Sequence, residues 1–248
     1  MARFKDQAIC IREIDWSETS QIVVLVTEHR GKIRGLAKGS KRLSPSSIQR
    51  FSGGIDLLTR GQVVGVIKPS SELATLTEWD LQNDYHHLRT NLESQRLAMF
   101  GADLVDALIA ERDPHTNSFN AISQFLQKLI DPDHNDMILL QFQWEILADA
   151  GFKPELDNDI HSTTPLKQVE TYTFDPKAGG FTDRKGISDL RVRKQTIELL
   201  RTVDTGQVPN TNDHQSILRA NRLLCVYARS ILDKQLPTMN FILDDHPS

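Results

Sequence analysis

QIVVLVTEHRGKIRGLAKGSKR, residues 21–42, decides how the fold is read. Residues 21–28 form a β-branched, apolar run long enough for a buried strand. Glu28-His29-Arg30-Gly31-Lys32 reads as a tight turn in which Gly31 is free to take positive φ. Lys32 to Ala37 follows at hairpin distance and predicts the next strand. Strand period extends outward from this pair, from Phe4 to about Gln82. Ahead of it, Ala8, Cys10, Ile11, Ile14 and Trp16 mark one strand; behind it, GGIDLLT, QVVGVIK and LATLTEW mark others. Gly39 to Ser47, punctuated by Gly, Ser and Pro, reads as a loop. Five or six short strands in about 80 residues predict a small barrel or sandwich. The OB-fold is the barrel of that size most used for nucleic acid, although fold alone assigns no function.

Beyond Asp84 the period becomes helical. Leu97, Phe100, Leu104, Val105, Leu108 and Ile109 share one face, and Pro114 is the expected stop. Phe119, Ile122, Phe125, Leu126, Leu129 and Ile130 make a second stripe, ending near Pro132. Asn135 to Ala150 is apolar over a wide arc, which predicts a central helix, with Gly151 as its C′ residue. GFKPELDNDIHSTTPLK is polar and loop-like; VETYTFDPKAGGFT reads as strand, turn and short returning strand, packed through Val169, Tyr172, Phe174 and Phe181. Helical period returns at Asp189 to Val203 and again from about Asp213 to Asp233, with Asn212 as N-cap and Ile217, Leu224, Tyr227 and Ile231 inward.

Composition narrows the class. With 39% hydrophobic and 25% charged residues the chain is of ordinary globular type. Cys10 and Cys225 lie far apart in apolar stretches, so no disulfide framework is expected, and a reducing, cytoplasmic setting follows. No apolar run reaches the roughly 18–20 residues that span a bilayer, and the first residues lack a signal-peptide core. No membrane association is expected.

Charge singles out one place. Arg30, Lys32, Arg34, Lys38, Lys41, Arg42 and Arg50 fall within residues 30–50, with no Asp or Glu among them, on a chain of net charge −4. Such local concentration suits a polyanion. Arg30, Lys32 and Arg34 alternate, so on a strand they share a face; Lys38, Lys41 and Arg42 continue onto a flexible loop between small residues. Ser40, Ser44, Ser46 and Ser47 add hydroxyl donors for phosphates. With no aromatic interleaved except Phe51, the surface reads backbone charge rather than bases. Four to six phosphate contacts would give a log–log salt slope of roughly −3 to −5. A second basic group, Arg184, Lys185, Arg191, Arg193 and Lys194, is diluted by Asp183 and Asp189. Arg219, Arg222 and Arg229 lie on one side of the last helix, as a solvated face, a seat for an acidic partner or a continuation of the polyanion path.

Catalytic constellations are lacking: there is no GxxxxGK[ST], no GxGxxG after a strand, no HExxH and no GxSxG. His86 and His87 are adjacent and so point to different faces, a weak metal pair. No catalytic residue, metal ligand or cofactor is assigned, and a non-enzyme is expected.

In this order the chain resembles the RecO family of bacterial recombination-repair mediators. The resemblance rests on GKIRGLAKGSKR at 31–42, on ELATLTEWDLQNDYHHLRTNLESQRLAMFGADLVDALI at 72–109, and on GFKPELD at 151–157. It implies an α+β multidomain chain: an OB-fold barrel over 1–82, a helical domain over 83–151, a zinc-ribbon-like β-hairpin insertion over 152–187, and C-terminal helices over 188–248. It also implies binding to single- and double-stranded DNA, strand annealing, work with RecR, recognition of the acidic C-terminal tail of single-strand DNA-binding protein, and loading of RecA at the nucleoid. Carried to this chain, DNA contact falls to Arg34, Lys38, Lys41 and Arg42, then Arg30 and Lys32; the acidic tail falls to Arg219, Arg222 and Arg229.

One departure is plain. Many members of that family hold zinc through two CxxC pairs, and here the corresponding positions are Asp159 with Ser162 and Asp183 with Gly186. Those side chains are not the four N/S ligands of a closed zinc site, so no zinc is expected. The competing function is a protein–protein adaptor of the repair machinery whose DNA binding is incidental.

Overall fold

A computed structural model describes residues 2–68, 70–162, 164–184, 186–207 and 213–244. The chain divides into two compact units, Met1–Pro132 and Asp133–Ser248.

The first unit is built on five strands: β1 (Ala2–Ser17), β2 (Ser20–Thr27), β3 (Gly31–Ala37), β4 (Arg60–Ile67) and β5 (Ala74–Asn83). They close into a barrel of order β1-β2-β3-β5-β4, with β4 returning to pair with β1. This is the OB-fold. All pairings are antiparallel except β3 with β5. Alternation sends Val23, Leu25, Ile33 and Ala37 inward, where they meet Phe4, Cys10, Phe51, Ile55, Val63 and Trp79. The turn after β2 forms as expected: Gly31 has φ +67, and a Cβ there would lie 2.0 Å from the Asp113 carbonyl oxygen.

Two readings of this region are corrected. Residues 39–47 are not one loop. Ser44 caps a short helix, α1 (Pro45–Phe51), accepting the Ser47 N–H at 3.3 Å with Pro45 in the first turn. GGIDLLT is not a strand but an irregular return, in which Ile55 is buried as a plug and Leu58 takes φ +57.

After a short 3₁₀ turn at His86–Arg89 come α2 (Leu92–Leu108), capped by Asn91, and α3 (Thr116–Lys128). α2 ends at Leu108 because Ile109 turns extended, well before Pro114. Phe119, Ile122, Phe125, Leu126 and Leu129 are buried, while Ile130 is exposed.

The second unit begins with α4 (Asn135–Asp149), which buries Leu139, Leu140, Phe142, Trp144, Ile146 and Leu147 around much of its circumference. Gly151, with φ +83, closes it: Gly151 N–H donates to Ala148 and Phe152 N–H to Leu147. A three-stranded sheet of order β7-β6-β8 follows, from β6 (Thr171–Asp175), β7 (Gly180–Thr182) and β8 (Arg191–Arg193). Tyr172, Phe174 and Phe181 are its buried packing residues; Val169 is half-buried. The third strand, β8, takes residues read as the start of a helix. The helix is α5 (Lys194–Asp204), followed by α6 (His214–Leu232) and the short α7 (Asn240–Leu243). Asn212 lies outside the described residues; Asp213 caps α6, accepting the Ser216 N–H at 3.1 Å. Buried Gln143 of α4 donates to Asn221 of α6 at 2.9 Å, and Asn221 donates to the Asp136 carbonyl at 2.8 Å, so α4 and α6 are locked in one register.

Candidate nucleic-acid interface

Lys32, Arg34 and Leu36 alternate on β3 and point away from the barrel core. Their outward neighbours follow from register: Arg34 stands opposite Val24, Val24 opposite Arg12, Leu36 opposite Ile22, and Ile22 opposite Ile14. The expectation of one basic face is therefore half met. Arg30 is not on the strand; it lies in the turn, with its guanidinium 5.6 Å from the Phe4 ring centroid. Lys32 is buried, its ammonium 3.1 Å from the Asp106 carboxylate and bonded also to the Asp106 carbonyl. Arg34 pairs with Glu111 at 2.8 Å, and Arg12 reaches Asp106 at 3.0 Å and Asp103 at 3.3 Å. The acidic end of α2 thus covers this part of the face. Sequence alternation places the cations correctly and cannot show that acids some seventy positions away neutralise them.

The loop after β3 is ordered rather than flexible. Ser40 donates to Gln21 Oε1 at 2.9 Å, and the Ile55 N–H donates to the same oxygen at 2.9 Å. The Gly39 N–H donates to Ser20 Oγ at 3.0 Å, and Ser47 donates to the Gly39 carbonyl at 2.5 Å. Ser40 and Ser47 are buried by these bonds and Ser44 serves as a helix cap, so of the four serines offered to phosphates only Ser46 is exposed and uncommitted to the backbone. Lys41 bonds Glu13 at 2.7 Å and also Asp15; the two carboxylates, Asp15 foremost, raise its pKa. The Lys41 N–H donates to the Thr19 carbonyl at 3.1 Å, which ties the loop to the β1–β2 tip. Lys38 and Arg42 remain exposed, and neither makes an ion pair among the described residues. Arg50, at the end of α1, lies over the Phe51 ring.

The histidine doublet splits as expected: His87 Nε2 meets the Leu126 carbonyl at 2.8 Å, and His86 is exposed. Both cysteines are free and buried; burial pushes the Cys10 thiol up and the Cys225 thiol up to about 12.

In the second unit a pocket of about 360 Å³ opens between β8, α5 and α6. Leu190, Val192, Leu223 and Val226 give it an apolar wall, and Arg191, Arg193, Arg219 and Arg222 line it with one acid, Asp189. The Nε atoms of Arg219 and Arg222 are buried and make no hydrogen bond among the described residues. Arg219 donates to Ser216 at 2.7 Å, and Arg191 to Thr173 at 3.1 Å. The structure thus joins Arg219 and Arg222 to the second basic group. Arg229 does not line the pocket; it donates to Gln235 at 3.3 Å. Lys185 lies outside the described residues.

The four positions where cysteines would stand are committed elsewhere. Asp159 is buried; its carboxylate accepts the Thr182 hydroxyl at 2.6 Å and the His161 N–H at 2.9 Å. Burial opposes its ionisation, but these bonds, with others from Ser162 and the Asp183 backbone, outweigh that and hold its carboxyl down at about 2. Asp183 pairs with Lys167 at 2.7 Å, Ser162 bonds Thr164 at 2.9 Å, and Gly186 has no side chain. His161 turns to Asp175, 3.0 Å away. These residues do not fit a tetrahedral zinc site.

A family model for the N-terminal part of recombination protein O matches residues 1–85, and one for its C-terminal part matches residues 89–239. The chain belongs to the RecO family. RecO relatives named DNA repair protein RecO include that of Salinibacter ruber, 36% identical over 125 residues, which is 50% of this chain and 46% of the relative. That of Rhodopirellula baltica is 32% identical over 147 residues, covering 59% and 53%. In these two the match spans about half the relative's length. That of Syntrophus aciditrophicus is 24% identical over 254 residues, covering 98% and 96%. Among the described residues of this RecO chain, no helix is long and apolar enough to cross a membrane.

Proposed function

We propose that this chain is a non-enzymatic DNA-binding mediator of recombinational repair. It anneals complementary single strands and helps load RecA onto DNA covered by single-strand DNA-binding protein, in the cytoplasm at the nucleoid and together with RecR. The observation that carries the reading is the pair Lys38 and Arg42: exposed cations without an acidic partner, on a loop held in place by Ser20, Gln21, Ser40 and Ser47 on an OB-fold barrel. A preordered loop holds its charges in place before the polyanion arrives, so binding loses little conformational entropy. Arg34 and Arg30, partly engaged, extend the path; Arg50 adds a further exposed charge. The arginine-lined pocket of the second unit fits an acidic peptide end, the class of ligand offered by the tail of single-strand DNA-binding protein, because its two orphaned Nε donors call for an anion.

The test is DNA binding and strand annealing over a salt series with the double variant Lys38→Gln, Arg42→Gln. Two lost phosphate contacts reduce the log–log slope on single strands by about 1.4, and annealing slows. An unchanged slope would sink the reading. One observation favours the adaptor function instead: Lys32, Arg34 and Lys41 already have acidic partners, so the local charge open to DNA is smaller than the composition implies. An adaptor keeps its acidic-peptide affinity in the double variant and shows little annealing in either form.

A further inference from the structure

The outward face of β1, β2 and β3 changes character along its length. Next to the turn at 28–30 it is covered: Val24 and Val26 point outward yet are buried, and Arg12, Lys32 and Arg34 are engaged by Asp103, Asp106 and Glu111. One step toward the β1–β2 tip the cover ends. Ile14, Ile22 and Leu36 stand in direct register across the three strands, with Ile14 51% exposed and the other two half-buried. Two residues beyond Ile14, at the tip, Trp16 is 64% exposed. The chain carries three tryptophans, and the other two, Trp79 and Trp144, are buried.

β1 shifts register between Asp15 and Ser17, so Trp16 sits in the irregular tip beside the paired row rather than on it. An apolar row with an exposed indole beside it is costly to leave in water, and its surroundings say what covers it. Lys41 stands against Asp15, beside Trp16, and against Glu13, one cation shared by two carboxylates. The Gly39–Ser20 bond and the Lys41–Thr19 bond hold the loop that carries Lys38 and Arg42 against the same tip. Aromatic and apolar surface beside a loop that carries two exposed cations matches a chain with flat apolar faces and a negative backbone. A single strand presents both; a duplex keeps its base faces stacked inside.

We infer that Trp16 is a base-stacking platform, and that the Ile14–Ile22–Leu36 row beside it makes this face a site for single-stranded nucleic acid. The inference rests on the DNA-binding reading above and deepens it: Lys38 and Arg42 hold the backbone of either form, while Trp16 favours the unpaired one. The expectation of backbone reading weighs only Phe51, which is buried, and leaves out Trp16, which is exposed.

Tryptophan emission tests it directly, because a single indole is exposed. Oligothymidylate is expected to quench the solvent-accessible part of the emission and a duplex of equal length to leave it. Trp16→Ala is expected to lower oligothymidylate affinity roughly 5- to 150-fold, the range of one stacked base, without changing duplex affinity or the salt slope. Trp16→Phe recovers part of the loss. Equal losses on single strand and duplex, or none on either, overturn the stacking role. Unchanged oligothymidylate affinity together with a lower sedimentation coefficient in Trp16→Ala also overturns it and assigns the patch to a second copy of the chain. Failure of the Lys38→Gln, Arg42→Gln variant to weaken either nucleic acid is a separate result, and it removes the DNA-binding reading itself.

Discussion

Asp159→Asn removes one negative charge from the point where the segment before the three-stranded sheet meets β7. The wild-type carboxylate accepts the Thr182 hydroxyl at 2.6 Å and the His161 N–H at 2.9 Å, and the residue is buried. Hydrogen bonds to an ionised group are worth about 1.5–3 kcal/mol each. The Asn side chain keeps one acceptor oxygen and turns a donor toward the place of the other, so one such bond is lost and a buried donor is left unmatched. The expected cost is about 2–3 kcal/mol. Unfolding entropy per residue converts this, for a unit spanning Asp133–Ser248, into a fall in Tm of roughly 8–12 °C. Differential scanning calorimetry with and without a chelator reads it. Chelator is expected to leave the wild-type transition unmoved, because the Asp159–Thr182 bond rather than a metal fastens the segment. The same carboxyl lies at about 2 against an ordinary 3.8, so its contribution is fully present above 3.8 and is lost as pH falls toward 2. It amounts to about 2 kcal/mol, and in Asp159→Asn the acid-side decline over that window flattens. A variant that melts with the wild type, or a wild type that chelator destabilises, refutes the reasoning.

Two further substitutions separate structural cations from ligand-facing ones. Lys32→Ala leaves Asp106 with Arg12 alone at the end of α2; breaking a buried pair costs about 3 kcal/mol, so urea unfolding shifts, while the salt slope of DNA binding in folded protein stays as in the wild type. Arg222→Ala weakens a labelled acidic peptide about tenfold in a fluorescence polarisation titration, and Arg229→Ala does not, because only the first lines the pocket; equal effects would move the site elsewhere on α6.

The backbone was legible wherever local chemistry acts alone. The β-branched run of β2 and the glycine after its turn specify a hairpin without outside help. Gly151 closes α4 through bonds to Leu147 and Ala148, all within six residues. Where local signals compete, tertiary context decided. Ser44-Pro45 reads equally as loop punctuation and as a helix cap with its first-turn proline; the helix wins because it buries Phe51 in the barrel. GGIDLLT has strand composition, but its chain is held by Gln21 bonding Ile55 and by a single pair of backbone bonds between Cys10 and Leu58 and Thr59, too short to make a strand. β8 is only three residues long, and its pairing to β6 gives no period that a sequence window could detect.

The candidate site was legible in kind and not in membership, and electrostatics explains why. A count of basic residues in a window measures charge per length, whereas a polyanion responds to charge that is both exposed and uncompensated. Lys32 and Lys38 are alike in sequence, six positions apart, yet Lys32 is buried against Asp106 while Lys38 is open. The partner acids lie at the end of α2, and only the packing of that helix on the barrel reveals them. Apolar residues carry the converse ambiguity. Ile14 and Trp16 read as strand residues by period, but β1 shifts register between Cys10 and Arg12 and again between Asp15 and Ser17, and at this tip both are exposed. An aromatic residue one place from a strand end is therefore where sequence period says least about burial. On this chain the Lys41–Thr19 bond also ties the loop of Lys38 and Arg42 to that tip, so the exposed indole and the two exposed cations are tested together as one proposed site.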